Sequence, residues 1–473
     1  MWAVLLGIPA LCMVLLLDRR SMWLDEVTSM MIAHRDAAGI MHILQRVDAV
    51  FALYYGLLHA WLAVADGTAS ARALSALFAL ATLPAAYALG NRLLGRRAAF
   101  IGTFLLGTSY TFLRYAVEAR PYALEILLCT LSGWCFVALL DAPRARRFVP
   151  YVATTLLAIY AHPLAILWVA AHAVGFAFVR RTRALVRGFA VSVAAIAAGL
   201  LPLVAGVRRN GTHQIDWIPP ITPERAWRSL ESLAGGSRGG PLGHDELAAV
   251  FAGCVLAGCV LLLRERPPRE ARLLVVWLVV PIFAILVASM WKPVEPTRYY
   301  AYVIVPAALI AGAALAALRR TAGVMAAACA VAALAIGGAA QMALYRGEDW
   351  RAAAAIVDGG LPADGVIVCS ANVLRALRYA ERERGHPEPV GHLLYPPDVE
   401  WTGDRNKPPV PSDLPEQAAR MHQRLWIVLS HDTKTCQSSV LASMARRYGD
   451  VAVRRLDETI EIHELRRRQV AAF

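Results

Sequence analysis

Apolar stretches of roughly 20 residues, rich in Ala, Leu, Val and Ile, recur between residues 2 and 343 and are separated by short charged clusters. Few architectures accept such a chain. A helix rises about 1.5 Å per residue, so roughly 20 residues cross about 30 Å of hydrocarbon. Within that layer each backbone N–H and C=O must find a partner inside the protein. The pattern predicts an α-helical polytopic membrane protein with about 11 spans. They are expected near 2–17, 70–92, 98–114, 121–140, 147–162, 164–180, 188–207, 247–264, 272–290, 299–318 and 322–343. A hydrophobic content of 58% and a mean hydropathy of +0.48 agree with repeated spans better than with one water-exposed globule. Residues 1–17 lack the basic start and the small-residue cleavage site of a secretory signal, so they read as a retained first span.

The net charge of +13 does not point to nucleic acid. The basic residues are scattered as loop clusters between spans, as anionic lipid headgroups and cytoplasmic loops favour. Lys292, Lys407 and Lys434 are the only lysines, and heavy Ala and Arg use suggests a high-GC bacterial genome. Six cysteines, Cys12, Cys129, Cys135, Cys254, Cys259 and Cys329, lie in apolar runs and read as small packing residues. Cys369 and Cys436 lie in the polar tail, as free thiols or as a disulfide if the tail is outside the cytoplasm.

Sidedness hinges on residues 50–66, FALYYGLLHAWLAVADG. Counted as a span, they would place the Arg clusters at 96–97, 144–147, 180–183 and 264–269 outside the cytoplasm, against the usual bias of short loops. Treated as an interfacial or re-entrant helix, they place all four inside. On that reading 18–69, 115–120, the turn at His162, 208–246 and 291–298 share the outer face of the plasma membrane. The chain after 344 lies there too. Composition changes sharply at that point: strand-like runs at 365–370, 425–430 and 459–464 alternate with helix-like stretches at 348–357 and 371–383. A membrane domain at 1–343 and a small extracytoplasmic α/β domain at 344–473, with a Pro-rich loop at 386–412, are therefore expected.

The polar residues of the outer segments are the candidates for chemistry. Asp25 and Glu26 follow Trp23-Leu24 just past the first span. Neighbours on a helix point about 100° apart, so one carboxylate would act as a general base while the other orients or pairs with a cation. A solvated helix start is the plain alternative. Asp48 is either a second acid at the site or a helix cap. Arg114, Glu118 and Arg120 in RYAVEARPY form a structural network or an anion site, since a guanidinium can grip phosphate with two parallel bonds. Lys292, Arg298, Tyr299 and Tyr300 are an aromatic belt with a snorkelling cation, or a second phosphate contact. His162 sits at a turn where a structural role competes with a functional one. His213, Asp216 and Trp217 lie in a long loop that a substrate could order. No P-loop, dinucleotide fingerprint or HExxH pair is present. The two adjacent carboxylates could hold a divalent cation, though nothing in the sequence demands a metal or other cofactor.

Three stretches, SMWLDEVTS at 21–29, VEARPYAL at 117–124 and PTRYYAYVIVP at 296–306, together resemble the GT-C membrane glycosyltransferases. The likeness is to the dolichyl-phosphate-mannose protein mannosyltransferase group, glycosyltransferase family 39, and its bacterial relatives. Residues 48–77 resemble that family's juxtamembrane stretch, and 348–368 resemble the tails of bacterial members. The resemblance implies a sugar donor carried on polyprenyl phosphate and an acceptor hydroxyl on protein, lipid or glycan. It implies Asp25 as the base with Glu26 beside it, and Arg120 and Arg298 near the lipid phosphate. Glu118, Tyr122, His162, Lys292 and Tyr299 join Asp48, Tyr54 and Tyr55 as expected substrate-binding residues. Relatives often carry His-Pro-Pro before Leu-Tyr-Tyr; here residues 49–52 are Ala-Val-Phe-Ala, a departure that bears on acceptor recognition. The alternative readings are a transporter or lipid flippase, a lipid-binding scaffold, and a polymerase using a lipid-diphosphate donor.

Overall fold

A computed structural model describes the whole chain except residues 47–48, 180, 211–214, 216–217, 236–243, 265–268, 295, 346, 369, 387–390, 396–410, 431–439, 446, 458 and 469–473. Asp48, His213, Asp216, Trp217, Cys369 and Cys436 lie outside the described residues. Contacts divide the chain into two compact units, Met1–Leu17 with Ala33–Tyr345, and Asp18–Ile32 with Arg346–Phe473. The sequence reading kept 18–32 with the membrane part; their packing groups them with the tail.

The first unit is helical. Among the described residues, six of its helices are long and apolar enough to cross a membrane: Thr68–Leu94, Tyr122–Asp141, Asp245–Arg264, Glu270–Ala288, Thr297–Ala317 and Thr321–Leu344. A seventh is formed if Arg183–Gly199 and Leu201–Arg209, bent by 41°, count as one span. The other four expected spans are shorter or broken. Ala3–Leu16 and Pro163–Gly175 are short apolar helices, and Ala145–Ala161 has 17 residues. The run at 98–114 splits at Ser109 into Arg96–Thr108 and Tyr110–Ala116. Ser109 adopts an extended backbone and its hydroxyl accepts from the Phe112 N–H, so it ends one helix and caps the next. The ambiguous stretch forms a helix at Ala52–Leu62 of 11 residues, about 16 Å long and too short to cross hydrocarbon.

Burial separates central from peripheral spans. Tyr122–Asp141 and Thr297–Ala317 are 78% and 83% buried over their apolar windows, whereas Asp245–Arg264 and Thr321–Leu344 are 22% and 17% buried. The latter two keep apolar surface of the kind that a bilayer covers. Small residues set the central packing. A Cβ on Gly312 would stand 2.5 Å from the Ala98 carbonyl and the Gly102 nitrogen, and one on Gly102 would meet Leu309 Cα at 2.8 Å. Backbone-to-backbone contact of this kind replaces the hydrophobic drive that lipid cannot supply.

The second unit carries a five-stranded sheet: β1 Gly365–Val368, β2 His392–Tyr395, β3 Arg424–Ser430, β4 Tyr448–Arg455 and β5 Ile460–Arg467, ordered β2-β1-β3-β5-β4. β1 runs parallel to β2 and β3, while β5 runs antiparallel to β3 and β4. Strand β1 is buried throughout and reads as a continuous apolar run, as a strand covered on both faces should. The helices Trp350–Asp358, Ala371–Glu383 and Leu414–Met421 complete the α/β unit. Two strands go beyond the expectation from sequence: β2 lies inside the Pro-rich stretch expected as a loop, and β4 is mostly exposed. At the foot of β1, Asp364 accepts from Arg424 Nε at 2.8 Å, the Leu361 N–H at 2.8 Å and Trp426 Nε1 at 3.1 Å. Burial alone would raise this carboxyl, but those bonds outweigh it and hold Asp364 below its ordinary value.

Candidate active site

In the helical unit, polar and aromatic side chains from four distant segments meet where the two most buried spans begin. Pro121 precedes the Tyr122–Asp141 helix, its fixed φ suiting a helix start. Arg120, 5% exposed, stands just before that start. Its guanidinium lies 4.8 Å from the Phe51 ring centre and 5.8 Å from that of Tyr122. The His162 ring stacks on Phe51 at 5.6 Å and packs against Tyr299 at 5.1 Å and Tyr122 at 6.1 Å. Arg298 opens the other central helix, 5.6 Å from the Tyr299 ring. His162 thus packs on Phe51, the ring beside Arg120, and on Tyr299, the ring beside Arg298.

The expected residues enter this cluster in different ways. Glu118 accepts from Arg114 Nε at 3.0 Å and is 2% exposed, so it is a buried ion-pair partner. Tyr115, between Tyr122 and Arg114, joins that pair to the ring cluster. Tyr54 and Tyr55 are fully buried. The Tyr54 hydroxyl sits 3.1 Å from Ser75 Oγ, which donates to the Arg120 carbonyl at 3.3 Å, while Tyr55 meets Phe51 edge to face. Both tyrosines thus brace Arg120 and Phe51. Lys292 is half-buried beyond the Leu273–Ala288 helix.

Two participants are not among the expected site residues, although Phe51 lies in the divergent stretch 49–52. Phe51 is the ring on which both Arg120 and His162 rest. Glu125, fully buried in the first turn of the Tyr122–Asp141 helix, brings a carboxylate oxygen to 3.4 Å from His162 Nδ1. The signal for Glu125 was available: it is a lone carboxylate in the apolar run YALEILLCT, and such a residue in a span is costly without a role.

Asp25 and Glu26 belong to the other unit, in the first turn of the helix Leu24–Ala33. They are not equivalent. Glu26 is 1% exposed and its carboxylate accepts from the Trp23 N–H at 3.4 Å, closing the start of its own helix. Asp25 is half-buried, and its backbone carbonyl accepts from Ser29 Oγ at 3.0 Å. Its position makes Asp25 the more accessible carboxylate of the pair. Among the described residues no group of three or more His, Cys, Asp or Glu side chains is placed to hold a metal ion.

No protein-family model and no curated protein sequence matches the chain. Solved structures do match it. ArnT from Cupriavidus metallidurans bound to undecaprenyl phosphate is similar with a TM-score of 0.57 at 16% identity, over 98% of this chain and 97% of that one. The apo state of the same enzyme gives 0.59 at 15% identity. The Archaeoglobus fulgidus oligosaccharyltransferase AglB, in complex with an inhibitory peptide and a dolichol-phosphate, gives 0.55 at 12% identity, over 94% of this chain and 70% of that one. The chain therefore shares the fold of these structures. With ArnT the likeness runs almost end to end, so it includes the small sheet-bearing tail as well as the helices.

Proposed function

We propose that this protein is a glycosyltransferase that takes a sugar from a polyprenyl-monophosphate carrier and passes it to an acceptor hydroxyl at the outer face of the membrane. The observation that carries this reading is the pair Arg120 and Arg298. They arise at the starts of the two most buried spans, and each lies beside an aromatic ring that packs against the buried His162. A guanidinium in such a setting matches the doubly charged phosphate that a polyprenyl carrier leaves behind. Structures of the same fold hold undecaprenyl phosphate or dolichol-phosphate, which supports a donor of this chemistry.

The reaction assigned is one displacement. Asp25 takes the proton of the acceptor hydroxyl as its oxygen bonds to the anomeric carbon. The bond from that carbon to the phosphate oxygen breaks, the electron pair leaves with the polyprenyl phosphate, and the anomeric configuration inverts. Arg120 and Arg298 stabilise the charge that develops on the departing phosphate, where cations count for more than a proton donor. Tyr122, Tyr299 and His162 line the approach of the phosphate, and Glu118 fixes Arg114 beside them. Lys292 is a further cation for the carrier. Mannose, arabinose and aminoarabinose donors all suit this chemistry.

The test offers purified wild type and Asp25→Asn polyprenyl-phosphate mannose, arabinose and aminoarabinose, with membrane extract as the source of acceptor. Wild type is expected to release free polyprenyl phosphate from one donor. Asp25→Asn is expected to be slower by about 10²–10⁴-fold, the range for loss of a general base. Equal turnover by the two proteins removes Asp25 from the mechanism. Inertness toward all three, with release of a diphosphate carrier from an added polyprenyl-diphosphate sugar, would instead favour a polymerase.

A further inference from the structure

We propose that Glu348 and Arg351 of the C-terminal unit are positioning residues that hold the helix of Asp25 in place for transfer. The inference rests on the assignment of Asp25 as base. A helix start leaves its first N–H groups without intrahelical partners. For the helix Leu24–Ala33, one of these is taken by the tail: the Leu24 N–H, adjacent to Asp25, donates to Glu348 Oε2 at 3.2 Å. That same oxygen accepts from Trp350 Nε1 at 2.7 Å, and Trp350 is fully buried. Glu348 is itself 8% exposed. A nearly buried carboxylate is costly unless its charge is used. Here it faces the positive end of a helix dipole and is locked by a core indole.

Arg351 fastens the preceding turn. Its N–H donates to Ser21 Oγ at 2.9 Å, and its guanidinium donates to the Asp18 carbonyl at 2.8 Å and to Asp18 Oδ1 at 2.5 Å. Glu383 accepts from Arg351 Nε at 3.0 Å, so the guanidinium is gripped on both sides. Residues 18–24, which would otherwise be a loop, thus enter the helix along a path set by residues 348–351. A base must stand within about 0.5 Å of its productive place, and a misplacement of about 1 Å can cost on the order of 100-fold in rate.

The experiment compares Glu348→Ala, Glu348→Gln and Asp18→Ala with wild type and Asp25→Asn in the full-length protein. The substrate is whichever of the three polyprenyl-phosphate sugars wild type consumes. Glu348→Ala is expected to lower kcat about 10–100-fold at unchanged KM for the donor. It is also expected to speed amide exchange in peptides covering 18–33 while strands β1 and β3 stay protected. Glu348→Gln keeps a carbonyl acceptor and is expected to restore kcat to within about threefold of wild type. If Glu348→Ala does not fold, Asp18→Ala carries the same expectation from the exposed end of the tether. Wild-type kcat or unchanged exchange over 18–33 in the folded variant overturns the proposal. So does a loss that falls on KM as much as kcat, or one that Gln does not rescue. If Asp25→Asn turns over normally, the base assignment has failed, and this inference fails with it. If Asp25→Asn is inactive while Glu348→Ala is not, only the positioning role is lost.

Discussion

The chemistry of a buried charged side chain in this protein follows from what surrounds it. Glu381, on the helix Ala371–Glu383, is 2% exposed. Burial, with Asp358 adding repulsion and Arg378 opposing it, pushes its carboxyl up to about 7. A carboxyl raised on folding stabilises the protein in its protonated form. The contribution is full below the unfolded value of about 4.5 and is lost as pH rises through about 7. The C-terminal unit is therefore expected to lose on the order of 3 kcal/mol between those limits. Glu381→Gln should flatten the trend, read from melting or amide exchange of 371–383 between pH 4.5 and pH 8. A wild type whose stability is level over that range would contradict the assignment. The same scale explains what could be read in the sequence. Arg120, His162 and Arg298 stood out because polar residues at apolar-run ends are visible in one dimension. Glu125 is visible there as a lone acid in an apolar run, but its partner is not, and Phe51, a ring just before a short helix, acquires meaning only through what it touches.

At the scale of elements, the helices Arg96–Thr108 and Ile304–Ala317 meet through Gly102 and Gly312 with no room for a Cβ. Gly312→Val is expected to force these backbones apart and to destabilise the helical unit by about 1–3 kcal/mol, as overpacking does. Because the Ile304–Ala317 helix continues from the segment that carries Arg298, donor turnover should fall as well. Detergent melting together with the donor assay checks both, and a variant that melts and turns over like wild type would show that the contact yields. Element boundaries were less legible than element identities. The break at Ser109 sits in a run whose hydropathy is continuous, and a serine in such a run bends the chain only where its hydroxyl finds an N–H to accept from. Strand β2 was hidden for a related reason: four residues among prolines carry too little pattern, and its pairing with β1 decides its state.

For the whole molecule, the partition of the chain carries the consequence. Residues 18–32 pack with residues beyond 346, so the tail supports the segment that bears Asp25. A chain ending at Tyr345 is expected to insert into membranes but to release no polyprenyl phosphate, measured by flotation and by the donor assay. Activity in such a chain would show that the tail is dispensable. The sequence by itself determined the membrane class, the change of composition at the tail, and the grouping of Asp25, Arg120, His162 and Arg298 as candidates. Those conclusions rest on hydropathy, charge and turn chemistry, which are local. Tertiary structure alone decided that Glu26 closes a helix start, that Glu125 reaches His162, and that a carboxylate from residue 348 caps the helix of Asp25. Each of these depends on contacts between segments far apart in the chain, and a buried charge is satisfied by whichever distant group the fold delivers to it.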